Sequence, residues 1–196
     1  PRENITGVNL GQPVPINIYN GIAAMAMAQL NGCTADEIRY GMMTYKGVDR
    51  RFDFRIRNAK HVLLSDYAHH PKEIYQSAKS MREVYKGRHI TAIFQPHLYT
   101  RTRDFYKEFA DALSQLDEVI LTEIYPAREL PIEGVTSKLI YDNLREGIEK
   151  SIINKKDVLD LVKQRDFDVL IILGAGDLDN YMPEIAAIIE NKERQS

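Results

Sequence analysis

The chain has 196 residues, 26 basic and 28 acidic side chains and a net charge of -2, enough length for one well-buried domain with a fragment of a second. So small a net charge sets up no field that would steer it toward nucleic acid or a membrane surface. No apolar run approaches the roughly 20 residues that cross a bilayer, and the single cysteine, Cys33, excludes an internal disulfide framework. A reducing, cytoplasmic setting is expected, with Cys33 a buried structural thiol. The opening Pro1-Arg2-Glu3-Asn4, with neither an initiator Met nor an apolar signal core, reads as the interior of a longer protein.

Taken in order, residues 1–16 carry Gly7, Gly11, Pro13 and Pro15 and read as strand ends and turns. From Asn17 to Leu30 the run Ile22-Ala23-Ala24-Met25-Ala26-Met27-Ala28 is small and apolar on nearly every side, which predicts a helix buried against a sheet. Gly32 closes it. Thr34 with Glu37 three residues on forms a capping-box start for a second helix, to about Met43. In Gly47–Arg57 the period changes: Phe52, Phe54 and Ile56 alternate with charged residues, as in a half-exposed strand, and a domain boundary is placed near here. Beyond it, strand-like runs at 61–65, 89–95, 118–124, 151–153 and 168–173 alternate with helix-like runs at about 72–86, 101–115, 137–148, 156–165 and 180–191. Pro71 lies where the first helical residue needs no N–H. Near-continuous apolar strands such as Val169-Leu170-Ile171-Ile172-Leu173 belong in a sheet covered on both faces. The expectation is an α/β fold: a Rossmann-like, mostly parallel sheet with helices on both faces.

Two loops carry the chemistry. Ser65-Asp66-Tyr67-Ala68-His69-His70-Pro71 and Phe94-Gln95-Pro96-His97-Leu98-Tyr99-Thr100-Arg101-Thr102-Arg103-Asp104 each follow an apolar run and precede a helical one. Such loops gather at the carboxyl edge of an open sheet, where ligands bind. Asp66 can accept from ribose hydroxyls, orient an imidazole, or cap a helix; a metal site is a further option, since His and Asp are ligands. His97 and Arg101, four apart, approach one side of a first helical turn, and a guanidinium offers a planar fork to phosphate or carboxylate. Pairing with Asp104 and Glu108 explains Arg103 but leaves Gln95, Pro96 and His97 without a role. Gly174-Ala175-Gly176-Asp177 is either a phosphate-approaching turn or a plain tight turn, since it lacks a third glycine and follows the last strand. Asn17 and Asn20, three apart, suit either a purine edge or helix capping.

Together these stretches resemble the Mur ligases, ATP-dependent amide-forming enzymes of peptidoglycan precursor synthesis. The resemblance is carried by Asn17-Ile18-Tyr19-Asn20-Gly21-Ile22-Ala23-Ala24, Gly47-Val48-Asp49-Arg50-Arg51-Phe52, Asp66 to Pro71, Phe94 to His97 with Thr100 to Asp104, and Gly174 to Asp177, in family order over nearly the whole chain. Ile16 departs from it, standing where the family carries His. Within the family the wording of the second loop favours the member that joins L-alanine to the carboxylate of UDP-N-acetylmuramate through an acyl phosphate. The resemblance implies a chain holding the tail of the central ATP-binding domain, 1–50, and the C-terminal amino-acid-binding domain, 51–196, without the N-terminal domain and the rest of the central one. No Gly-Lys-Thr or Gly-Lys-Ser phosphate loop occurs, so the fragment alone is expected to be inactive. By the same resemblance Asn17 and Asn20 hold adenine, Arg51 and Asp66 contact ribose and phosphates, and Tyr67 shapes the nucleotide side. His69, His97 and Arg101 line the reaction centre and grip the L-alanine carboxylate or the intermediate. ATP and Mg are the implied cofactors, with metal ligands upstream and none assigned here. The alternatives are a non-catalytic nucleotide- or phosphate-binding Rossmann module and, from Gly174-Ala175-Gly176, a nicotinamide-dependent dehydrogenase.

Overall fold

The computed structural model describes residues 4–10 and 15–195; the turn expected at Gly11 and Pro13 and the opening Pro1-Arg2-Glu3 lie outside them. The chain forms two compact units, dividing between Val48 and Asp49.

In the first unit, helix α1 (Pro15–Leu30) and helix α2 (Ala35–Thr44) are joined by a turn in which Gly32 takes φ +88°, a conformation open to glycine at no steric cost. The capping box is present: Thr34 Oγ1 accepts from the Glu37 amide at 3.3 Å while Glu37 Oε2 accepts from the Thr34 amide at 2.8 Å. Two expectations are corrected here. Helix α1 is not buried against a sheet: Tyr19, Ile22, Met27 and Leu30 are all exposed, because the described residues of this unit hold no strand to cover them. Cys33 is exposed rather than buried, since it sits on the turn itself and neither helix face takes it in.

The second unit is a six-stranded sheet of β1 (Asp53–Arg57), β2 (Val62–Asp66), β3 (Ile90–Phe94), β4 (Glu118–Leu121), β5 (Glu149–Ile152) and β6 (Val169–Leu173). Their spatial order is β1-β2-β6-β3-β4-β5. Only β1 runs antiparallel, against β2; the other four pairings are parallel. The connecting helices are α3 (Pro71–Val84), α4 (Tyr99–Leu113), α5 (Lys138–Asn143) and α6 (Val158–Gln164), with α7 (Met182–Gln195) closing the chain. Right-handed crossovers decide the layers. The chain moves outward from β2 through β3 and β4 to β5 with α3, α4 and α5 on one face, then returns to β6 with α6 and α7 on the other.

On the α6–α7 face Leu63, Ile93, Ile120, Leu170 and Ile172 pack with Val158, Val162, Met182, Ile185 and Ile189. The alternate strand residues Leu64, Phe94 and Ile171 are also fully buried, Phe94 against Phe109 of α4 with ring centroids 5.5 Å apart. This is the sheet covered on both faces that the continuous apolar strands predicted.

One helix is shorter than expected. The run 137–148 is helical only from Lys138 to Asn143; Leu144 turns extended and Gly147 takes φ +82°, leading into β5. The topology also changes the geometry of the two chemical loops. Strands β2 and β3 are not neighbours, because β6 lies between them, which puts their axes about 10 Å apart at the usual strand spacing.

Candidate functional site

The site lies at the carboxyl ends of β2, β6 and β3. The first loop leaves β2 at Asp66 and enters α3 with Pro71 as its first residue. Glu73 fastens the entry: Glu73 Oε2 accepts from the amides of His69 at 3.0 Å and His70 at 3.1 Å. Burial opposes its ionisation, but these two amides and the imidazoles beside it hold the carboxyl below its ordinary range.

The two adjacent histidines diverge. His69 Nδ1 sits 3.0 Å from Tyr67 O and 3.5 Å from Glu73 Oε2, which fixes the ring through one nitrogen and leaves Nε2 for the cleft. His70 turns the other way, to 5.3 Å from the Phe105 ring, where it lines a groove of about 420 Å³ between α3 and α4.

Across the cleft, His97 lies with its ring centroid 6.0 Å from that of His69, edge to face, and stacks on Tyr125 at 5.6 Å. Arg101 Nη1 donates to His97 Nδ1 at 3.4 Å, a long contact that nonetheless puts the imidazole proton on Nε2. Burial first, then the Arg101 charge and His69, hold His97 below its ordinary value, against a weaker pull from Glu129; His97 is therefore neutral at pH 7. Helix α4 starts by means of a residue in the left-handed region, Leu98 at φ 74°, a conformation that costs a non-glycine residue about 1–3 kcal/mol and clusters at functional sites. Glu129 secures this start, accepting from the Thr100 amide at 3.0 Å and from its hydroxyl.

Asp66 is turned inward. Its Oδ2 accepts from the Ser77 hydroxyl and its Oδ1 from the Ala68 amide at 3.3 Å, and burial pushes its carboxyl up despite these bonds and the Arg51 charge. It neither caps α3 nor orients an imidazole. Arg51 is exposed between two residues in the left-handed region, Arg50 at φ 61° and Phe52 at φ 51°. The Arg50 guanidinium lies 4.8 Å over the Tyr67 ring, and that ring meets His69 at 5.1 Å. Arg103 pairs with Asp104 at 2.7 Å on the exposed face, as the plain reading required.

The structure thus brings Tyr67, His69, His97 and Arg101 into one chain of contacts, while Asp66 bonds to Ser77 and Ala68. Asn17 and Asn20 belong to the first unit, on α1, Asn20 exposed and Asn17 half-buried. Among the described residues no group of three His, Cys, Asp or Glu side chains is arranged to hold a metal ion. The Gly174–Asp177 turn has a structural use: a Cβ at Gly174 would lie 2.7 Å from Gln95 O, and one at Gly176 would lie 2.2 Å from Gln95 Oε1. Sequence reasoning missed Arg50, whose guanidinium donates to Gly174 O and Gly176 O of that turn, Lys155, which pairs with Asp177, and Tyr125, on which His97 stacks. Glu73 was missed as well, although its spacing, three residues after His70, is the capping signal that could have found it.

The family described as Mur ligase, glutamate ligase domain, matches residues 50–176. A UDP-N-acetylmuramate–L-alanine ligase of Phocaeicola vulgatus is 63% identical over 192 residues, covering 98% of this chain and 42% of that protein. One of Porphyromonas gingivalis is 53% identical over 180 residues, covering 91% and 39%. A solved UDP-N-acetylmuramate–alanine ligase of Thermotoga maritima superposes with a TM-score of 0.74 at 25% identity, over 96% of this chain and 40% of that one. The chain accordingly spans less than half the length of the curated relatives it matches. Among the described residues no helix is long and apolar enough to cross a membrane.

Proposed function

Because the chain belongs to the Mur ligase family, we propose that it is the C-terminal part of an ATP-dependent ligase that joins L-alanine to UDP-N-acetylmuramate in cytoplasmic peptidoglycan precursor synthesis. On this reading residues 1–50 are the tail of the central ATP-binding domain and 51–196 the amino-acid-binding domain. The exposed apolar residues of α1, Ile22 and Met27 among them, meet the remainder of the central domain. The observation that carries the reading is the convergence of His69, His97 and Arg101 across β6.

The muramyl carboxylate attacks the γ-phosphorus of ATP, ADP leaves, and an acyl phosphate forms. The neutral amine of L-alanine then attacks the acyl carbon, the C–O bond to phosphate breaks, and the amine proton is lost. Negative charge concentrates at the tetrahedral centre, so catalysis is chiefly positioning and fixed electrostatics. Arg101 supplies a permanent positive charge, neutral His97 donates from Nε2, and His69, anchored through Nδ1 to Tyr67 O, presents Nε2 from the opposite lip. One of these groups grips the L-alanine carboxylate while the others face the developing anion. Asn17 and Asn20 hold adenine, Arg51 and Asp66 the ribose and phosphates, and Tyr67 bounds the nucleotide side. A divalent cation accompanies ATP and supplies charge neutralisation on its phosphates; no residue described here is assigned to it.

The test is phosphate release by the full-length protein with ATP, Mg²⁺, UDP-N-acetylmuramate and a panel of amino acids. Release that requires both the muramate and a small L-amino acid, alanine foremost, supports the reading. Release driven by another acceptor, or none, rejects it. The 196-residue chain by itself, without a Gly-Lys-Thr or Gly-Lys-Ser loop, is expected to hydrolyse no ATP.

A further inference from the structure

Two lips separated by an intervening strand meet only if whatever stands on that strand is low and rigid. The Gly174–Asp177 turn on β6 is both, and one side chain accounts for most of it. Gln95, the last residue before Pro96 and His97, is 2% exposed and satisfied at both ends. Gln95 Oε1 accepts from the Leu178 amide at 3.1 Å, and Nε2 donates to Asp177 Oδ1 at 3.1 Å. The other Asp177 oxygen takes the Lys155 ammonium. Burial opposes the Asp177 charge, but Lys155 and Gln95 outweigh it and hold the carboxyl below its ordinary range.

The Gln95 carboxamide occupies the space a side chain at 176 would need. On the β2 side, Arg50 Nη2 donates to Gly174 O at 3.1 Å and Gly176 O at 3.0 Å, and Arg50 O accepts from the Tyr67 amide. Main-chain bonds complete the clamp: Gln95 N–H donates to Leu173 O and Gly174 N–H to Asp66 O, both at 3.1 Å. A shift of Gln95 passes through Pro96, whose φ is fixed, straight to His97.

We propose that Gln95 is a positioning residue which, by hydrogen-bonding the β6 turn, sets the separation and orientation of His97 and Arg101 relative to His69. The catalytic part of this inference rests on the ligase reading above; the geometric part does not. A Gln95→Met substitution keeps the volume and removes both side-chain hydrogen bonds, so a residue that merely filled space would tolerate it. Gln95→Glu keeps the acceptor for Leu178 and, when it shares a proton with Asp177, the second bond as well.

Two measurements follow. In imidazole ¹H–¹⁵N spectra of the 196-residue chain, Gln95→Met should weaken the His69–His97 ring contact and move the His97 titration up toward the ordinary value of about 6.5. In the full-length ligase, kcat for L-alanine-dependent phosphate release should fall about 10²-fold, as for a displacement on the order of 1 Å, with KM for ATP held. Gln95→Glu should recover activity relative to wild type as the pH falls and the carboxylate pair takes up its proton. Wild-type kcat in Gln95→Met, or a pH profile for Gln95→Glu parallel to wild type, overturns the proposal; so do unchanged His97 spectra. If Gln95→Met fails to fold, the Gln95→Glu profile decides. Altered spectra in a protein whose wild type releases no phosphate would remove the ligase reading and leave the positioning role standing.

Discussion

Replacing Arg101 by Ala removes a permanent charge from the cleft with little else attached to it. Among the described residues Arg101 forms no salt bridge, and its closest polar contact is the 3.4 Å one to His97 Nδ1. A guanidinium about 4 Å from an oxyanion at an effective dielectric of about 20 contributes roughly 4 kcal/mol, and each 1.36 kcal/mol off a barrier is about tenfold in rate. Screening and water entering the vacated space reduce that, so a loss of about 10²–10³ in kcat is expected, the usual consequence of losing one oriented donor. Acyl-phosphate formation, followed by isotope scrambling in ATP without L-alanine, should suffer less, because Arg101 is assigned to the amine-attack step. His97 should titrate higher in the variant, since the Arg101 charge is, after burial, a cause of its depression. The melting temperature should stay near that of wild type. Near-normal amide formation by Arg101→Ala, with His97 titrating as before, would refute the assignment of Arg101 to the reacting centre.

Asp66→Asn should separate stability from function. Burial raises the Asp66 carboxyl, so its share of stability is full below the ordinary carboxylate value and declines as pH rises through the folded one. The amide escapes that cost, and the variant should be more stable at pH 7 in denaturant titrations, with the gain vanishing in acid, while ligase turnover drops; an equal gain at all pH values would contradict the cause given. His97 has the opposite sign: its folded value lies below the ordinary one, so the stability tied to its neutral form is present above about pH 6.5 and lost as pH falls through the folded value. An NMR midpoint at or above that of a free imidazole would contradict this. Gly174→Ala forces an L side chain into φ +133° with its Cβ 2.7 Å from a backbone oxygen, and should cost roughly 3 kcal/mol or more in chemical unfolding, more than a mobile surface turn could lose.

Much of this was legible in the residues. The runs 90–94 and 169–173 announce buried strands because Thr91 is the one polar side chain in them, and its hydroxyl is met by Glu118. Pro71 and the Thr34–Glu37 pair mark helix starts by chemistry that has few other uses. The overlong reading of α5 has a specific cause: Ile140, Leu144 and Ile148 are all buried and spaced by four, so the helical period continues after the backbone has left the helix at Leu144. Strand order is written in no local pattern, and with it went the position of β6 between the two lips. Gln95 could be read as part of a motif, but its partners Asp177 and Leu178 lie 82 and 83 residues away, out of reach of any spacing argument. Lys155 carries no local signal of a role, and only the folded chain sets it against Asp177.

A double-mutant cycle on His69→Ala and Arg101→Ala, scored by kcat for L-alanine-dependent phosphate release in the full-length protein, tests most directly whether both lips act on one anionic centre. Groups that act as a unit are non-additive: the double variant is expected to be scarcely slower than the worse of the two single ones. Losses that multiply in full, the signature of independent sites, would contradict it.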